Sequence, residues 1–192
     1  FADSQKDHPN MDAGTLENLI TEKTKAIVPV HYAGVSCDMD KIMELASIYN
    51  LYVIEDAAQA VDSFYKGNPL GGIGHLGTFS FHETKNLNCG EGGLLIINDE
   101  QFIKRAEIIW EKGTNRIEFH KGEVKKYEWV DIGSSFLPSE VVAAFLFAQI
   151  NNLDNIQKKR IWIWNKYNDE LSFLNDKIEL PSVPSYATNN GH

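Results

Sequence analysis

Apolar and polar positions fall in blocks along this chain, and the block spacing predicts alternating strands and helices. Ala26 to His31 (AIVPVH) is a short β-branched run. Ile42, Leu45, Ala46 and Tyr49 then recur at intervals of three and four, one face of a helix that Asp38 or Asp40 can cap. Leu51 to Glu55 (LYVIE) is the next strand. Near-continuous apolar strands of this kind belong to parallel sheets covered on both faces. Strand, helix and strand within about thirty residues make a βαβ unit, whose crossover is right-handed. Gly77 to His82 and Gly92 to Ile97 predict two further strands. Asn98-Asp99 caps a helix over 100–111 that Gly113 ends. The polar, mixed stretch Thr114 to Ser135 reads as a long loop with one hairpin. Pro138 stands near another helix start and Val141 to Ile150 is strongly apolar. Asn151 to Asn155 marks a bend, and Gln157 to Leu174 continues as helix with Ile161, Trp164, Tyr167 and Leu171 at helical spacing.

The chain has 192 residues, so one domain and part of a second are expected, with a boundary near residue 150 dividing 1–150 from 151–192. It begins at Phe1 and stops at Gly191-His192, and we expect an internal piece of a longer protein. A hydrophobic content of 43% and a charged content of 23% predict a packed core rather than disorder. The longest apolar runs are strand-length, well short of the ~18–20 residues of a membrane span. A net charge of −9 repels phosphate backbones and argues against nucleic acid as a partner, while leaving room for a local pocket that holds one phosphate. Cys37 and Cys89 make neither a disulfide framework nor a metal-ligand spacing. They suit a reducing compartment, so a cytoplasmic location is expected and no metal.

Two segments carry the sharpest chemistry. Glu55-Asp56-Ala57-Ala58-Gln59 and Ser80-Phe81-His82-Glu83-Thr84-Lys85-Asn86 both follow a predicted strand. Ligands of open α/β sheets bind outside the carboxyl ends of strands, so a carboxylate, an amide, a hydroxyl and an amine are expected to meet there. That set suits pyridoxal phosphate (PLP). Lys85 would bond to the cofactor aldehyde. Asp56 would keep the pyridine nitrogen protonated, so that the ring accepts electrons. Gln59 could bond to ring substituents or pack on the ring, and Ser80 could donate to the phosphate.

Other residues invite a functional reading and have a plainer one. His31, Tyr32 and His82 could line the crevice, yet histidines so placed are more often structural, as is His75. The glycine-rich run 67–77 follows no dinucleotide fingerprint and reads as turns. Cys89 reads as packing, because thiolate activation needs a nearby base or helix end. Trp162 and Trp164 read as core or interface, and Lys121 to Glu128 as a solvated loop.

The strings VPVHYAG (29–35), VIEDAAQA (53–60), FSFHETKN (79–86) and GEGGLLIIND (90–99) resemble the DegT/DnrJ/StrS family of sugar aminotransferases. The resemblance covers nearly the whole chain. It implies the aspartate-aminotransferase fold (PLP fold type I): an α/β large domain with a mostly parallel sheet, here followed by the start of a smaller C-terminal domain. It also implies PLP as cofactor, Lys85 and Asp56 as catalytic residues, and Gln59 and Ser80 as further cofactor contacts. A nucleotide-sugar substrate, an amino-acid donor and a homodimer come with it. HYAGVSCDMD, FSFHETKN, RAEIIWEKGTNR and DIGSSFLPSE narrow the likeness to members that aminate C4 of a dTDP-linked 4-keto-6-deoxyhexose, with glutamate as donor, for bacterial surface polysaccharide. A UDP sugar, the C3 position, or a noncatalytic regulatory protein on the same fold are the alternatives. Relatives that dehydrate sugars carry histidine at the position of Lys85. Many members have Gly-x-Asn, reaching the neighbouring subunit's cofactor, where this chain has Gly133-Ser134-Ser135. Their upstream phosphate-binding Gly-Ser/Thr segment has no counterpart after Phe1.

Overall fold

The computed structural model describes residues 1–192. Its main sheet has the order β1-β2-β5-β6, from β1 (Ala26–Ile27), β2 (Tyr52–Asp56), β5 (Leu76–Ser80) and β6 (Gly93–Ile97). β1 with β2 and β2 with β5 are parallel, whereas β5 and β6 are antiparallel. The expected α/β class with a mostly parallel sheet is what forms, with one antiparallel edge. Each predicted strand is present within a few residues. β1 is the most shortened, because Pro29 has no N–H to give the ladder. The chain nevertheless continues beside β2: Asp56 N donates to Pro29 O (2.9 Å) and His31 N to Asp56 O (3.0 Å).

Between β1 and β2 runs α1 (Met39–Tyr49), the predicted crossover helix. Asp38 rather than Asp40 caps it, accepting from Lys41 N. Met39, Ile42, Leu45 and Ala46 are buried on the sheet with Ile27, Leu51 and Val53. Each large apolar side chain buried there stabilises by roughly 1.5–3 kcal/mol.

The run 67–77 holds more than turns. β3 (Phe64–Tyr65) and β4 (Asn68–Pro69) form a hairpin through Lys66 and Gly67, whose φ values of 48° and 84° match the tight turn favoured by strand twist. The strands are two residues each, too short for a periodicity to show. Backbone crowding then selects glycine at position 77, where a Cβ would collide with Gly71 O.

After β6, Asp99 accepts from Gln101 N and starts a 3-10 turn that leads into α2 (Ile103–Trp110). The stretch 114–135 corrects the expected long loop: it contains α3 (Arg116–Lys121), ended by Gly122 at φ 78°, and Thr114 bridges to Trp129 in antiparallel fashion. Six residues without an apolar stripe leave no sequence signal, and so short a helix owes its stability to its surroundings. α4 (Glu140–Ile150) is capped by Ser139, and α5 (Leu153–Leu171) begins after a two-residue turn, earlier than expected. No helix is long and apolar enough to cross a membrane. α4 is apolar around its whole circumference, a pattern usual for a covered helix. Yet Val141 and Phe147 are 79% and 65% exposed, and Trp129 and Ile132, earlier in the chain, 78% and 77%.

Candidate active site

Three loops leave the carboxyl ends of neighbouring strands: 31–35 past β1, 57–62 past β2 and 81–92 past β5. The register aligns Asp56 with Thr78, two residues before Ser80, so Asp56 and the Lys85 loop lie on one edge of the sheet. Asp56 ends β2 half-buried, and its Oδ1 accepts from Ala58 N (3.1 Å), a local turn that leaves the second oxygen uncommitted. Gln59 Oε1 accepts from Ala33 N (2.6 Å), which ties the 57–62 loop to the 31–35 loop and leaves the amide N–H groups to donate elsewhere. Ser80 Oγ accepts from His82 N (3.3 Å) and keeps its hydroxyl hydrogen. Lys85 is half-buried, its backbone N donates to His82 O (2.9 Å), and its amine takes part in none of the ion pairs. An amine, a carboxylate oxygen and two donors thus remain available at one sheet edge, a donor set that fits an aromatic aldehyde bearing a phosphate.

Glu55 belongs elsewhere. Successive strand residues face opposite sides, and Glu55 points away from the crevice into full burial. Its Oε1 accepts from Ile73 N (2.7 Å) and Gly74 N (2.6 Å), its Oε2 from Gly71 N (2.8 Å) and from His31 Nε2 (3.0 Å). His31 Nδ1 accepts from Cys37 N (3.2 Å), so the hydrogen sits on Nε2 and points at the carboxylate. His31 is therefore a fully buried structural histidine and does not line the crevice. His75 likewise accepts from Val53 N (2.9 Å). His82 Nδ1 accepts from Thr84 N (3.2 Å) within its own turn, with its Nε2 3.8 Å from Glu91. Burial pushes the Cys37 thiol up to about 12 and the Cys89 thiol up as well, so neither is a ready nucleophile.

Burial acts to raise the Glu55 carboxyl, but the bond from His31 and the three backbone amides outweigh it and hold the group below the usual carboxylate range. A depressed folded-state pKa stabilises fully above the unfolded value, and that stabilisation drains away as pH falls through the folded one. Glu55→Ala should cost about 3–5 kcal/mol, since four buried donors lose their acceptor. Urea unfolding across an acid pH series checks this: stability of the native chain should fall more steeply on acidification than that of Glu55→Gln. Equal slopes would remove the carboxylate from this role.

Sequence reasoning passed over the residues that join the C-terminal segment to this edge. Asn86, buried next to Lys85, donates to Gln157 Oε1 (3.1 Å) and Asn190 O (2.9 Å). Asn190 Nδ2 donates to Gln59 O (2.8 Å) and Val61 O (3.0 Å). Its side chain fills the space over Gly34, where a Cβ would collide with Asn190 Oδ1. Asn86 stood within the FSFHETKN string, but Gln157 and Asn190 lie 71 and 104 residues further on, and no local pattern links them.

The sequence model of the DegT/DnrJ/EryC1/StrS aminotransferase family matches residues 1–190. GDP-perosamine synthase of Caulobacter vibrioides is 36% identical over 174 residues, covering 91% of this chain and 45% of that protein. The aminotransferase structure from Psychrobacter cryohalolentis superposes with a TM-score of 0.90 at 31% identity, over 99% of this chain and 51% of that one. Spr1654 from Streptococcus pneumoniae, solved in a PLP form, gives 0.76 at 28% identity, over 89% and 47%. The chain spans about half the length of the curated relatives it matches.

Proposed function

The chain belongs to the DegT/DnrJ/EryC1/StrS aminotransferase family, and from that membership we propose that the whole protein is a PLP-dependent aminotransferase acting on a nucleotide-linked keto sugar. The observation that carries this reading is the free Lys85 amine on the same sheet edge as the uncommitted Asp56 oxygen. When bound, the cofactor supplies an aldehyde that condenses with amines and a ring that withdraws electrons.

Each residue of the chain then has a task. Lys85 Nζ would hold the cofactor at its aldehyde carbon and, as a free amine, would move the proton of the carbon bearing the donor's amino group. Asp56 would keep a proton on the pyridine nitrogen through a charge-assisted hydrogen bond. Gln59 would bond to the ring's substituents or pack on the ring, and Ser80 would donate to the phosphate. Holding the reacting groups together replaces chance encounter by an oriented approach.

The finer reading is amination at C4 of a dTDP-linked 4-keto-6-deoxyhexose with glutamate as donor, the reaction of dTDP-4-amino-4,6-dideoxygalactose transaminase, for bacterial surface polysaccharide. The sequence strings around residues 31–40, 105–116 and 131–140 support it. The relative named for a GDP sugar shows that the family's nucleotides vary, so GDP and UDP sugars and the C3 position are the rivals. Incubating the whole protein with dTDP-, UDP- and GDP-linked keto sugars and glutamate tests it. Amination of the dTDP-4-keto sugar alone is expected, and preference for another nucleotide overturns the finer reading while leaving the aminotransferase reading in place.

The reading includes residues 1–150 as part of the cofactor-binding domain, residues 151–192 as the start of a smaller one, and a homodimer in the cytoplasm. The exposed Trp129, Ile132, Val141 and Phe147 are the apolar side chains such a subunit contact would cover. Light scattering of the whole protein should give twice the chain mass at micromolar concentration, and a monomer mass overturns the dimer.

A further inference from the structure

Ala33 stands at φ 52° and ψ 27°, in the left-handed region that a residue with a Cβ seldom occupies. Such a conformation persists only where its surroundings over-determine it, and it invites a functional account. Asn10 supplies the constraint. It is 1% exposed, and its side chain spans the turn: Oδ1 accepts from Tyr32 N (3.0 Å) and Nδ2 donates to Val35 O (2.9 Å). One partner is a backbone donor and the other a backbone acceptor, so the amide faces them one way round only. Within the turn, Gly34 N donates to His31 O (3.2 Å) and Val35 N to Tyr32 O (3.0 Å). Of the amides of residues 32–35, Ala33 N alone reaches the neighbouring loop, where Gln59 Oε1 accepts it at 2.6 Å. That donor settles the Gln59 side chain too. Its oxygen is turned to the 31–35 loop, and its Nε2 is left with hydrogens to give. The backbone of Gln59 is held separately, by Asn190 Nδ2 on Gln59 O (2.8 Å).

We propose that Asn10 is a positioning residue for Gln59: by clamping residues 32 and 35 it holds Ala33 N on Gln59 Oε1, and so presents the Gln59 Nε2–H to the ring oxygen of the cofactor. This rests on the aminotransferase reading above, in which Gln59 meets the ring. A glutamine amide left to itself turns either end to a ligand. Its oxygen would repel an ionised ring oxygen, whereas its N–H stabilises the ionised form. The Ala33 amide removes the wrong choice before the cofactor arrives. Asn10 thus acts on the ring from outside the site, through one turn and one side chain, and it touches neither cofactor nor substrate.

A double-mutant cycle in the whole protein loaded with PLP separates this from a structural role. A donor on the ring oxygen draws that oxygen away from the proton on the nitrogen joining Lys85 to the cofactor. Losing the donor therefore raises the pH midpoint of the visible absorbance. Gln59→Ala should raise it by about 1–2 units, the size of one charge-assisted hydrogen bond. Asn10→Ala should raise it in the same direction, and added to Gln59→Ala it should raise it no further. A midpoint that Asn10→Ala leaves in place, or shifts equally with and without Gln59, makes Asn10 structural and overturns the proposal. Tyr32 N also reaches Val30 O (3.0 Å), so Asn10→Ala strands no backbone donor of the turn. Without cofactor, hydrogen exchange at Ala33 N reads the contact itself. It should quicken by about 2–10-fold in Asn10→Ala and in Gln59→Ala, the loss of one ordinary hydrogen bond, and a native rate in Asn10→Ala overturns the proposal. Gln59→Glu needs no change at Asn10 and serves if Asn10→Ala does not fold. It keeps an acceptor for Ala33 N and has no N–H for the ring, so exchange at Ala33 should stay slow while the midpoint rises; an unmoved midpoint overturns the proposal. Native protein that gains no visible absorbance on loading overturns the aminotransferase reading, whereas normal absorbance indifferent to Asn10 overturns this inference alone.

Discussion

Lys85→Ala in the whole protein should abolish transamination while leaving the fold in place. Loss of proton transfer alone costs about 10²–10⁴-fold, and loss of the covalent anchor to the cofactor adds to it. The structure predicts that folding is spared, because the Lys85 amine makes no ion pair whose loss would be felt. Substitutions at such positions usually stay within about 0.5 kcal/mol. The decisive measurement is borohydride reduction of the loaded protein followed by peptide mapping. Cofactor should be fixed to Lys85 in the native protein and to nothing in the variant. A variant that aminates keto sugars at the native rate would end the assignment.

Asp56→Ala has the next largest effect. A charge-assisted hydrogen bond contributes about 1.5–3 kcal/mol, or about 10–150-fold in cofactor affinity. The rate should fall further, by about 10²-fold or more at saturating cofactor, because an unprotonated ring is a poor electron sink. Asp56→Asn sharpens the test. It preserves an oxygen for Ala58 N, the local turn seen at 3.1 Å, yet brings no negative charge to hold the ring proton. If Asp56→Asn keeps native kinetics, the carboxylate serves only as a turn former.

The two segments that frame the site were legible for a simple reason. Strands of a parallel sheet are continuous apolar runs, and polar residues immediately after such a run must lie at the ligand-binding edge. VIEDAAQA and FSFHETKN each announce a strand together with the polar loop at its carboxyl end. Within the first of them the sequence picked Asp56 for the edge and left Glu55 without a role. Alternation along β2 sends one of two neighbouring side chains inward and one to the other side, and β2 ends at Asp56. Glu55 went inward because three amides of the Gly71–Gly74 stretch and His31 converge on it. His31 changed role for the same reason.

The short elements were illegible. β3, β4 and α3 are two, two and six residues long. Nothing of that length displays a period, and each exists because the surrounding chain closes on it. What the sequence by itself determined was the α/β class, the strand and helix order, and the placing of Asp56, Gln59, Ser80 and Lys85 at or after strand ends, since these depend on patterns within a dozen neighbours. The tertiary structure alone decided the antiparallel edge at β6, the burial of the His31–Glu55 pair, and the bonding of Asn86 to Gln157, Asn190 and His192. Those rest on contacts between residues distant in the chain, and the energy of a buried hydrogen bond depends on partners that local composition does not encode.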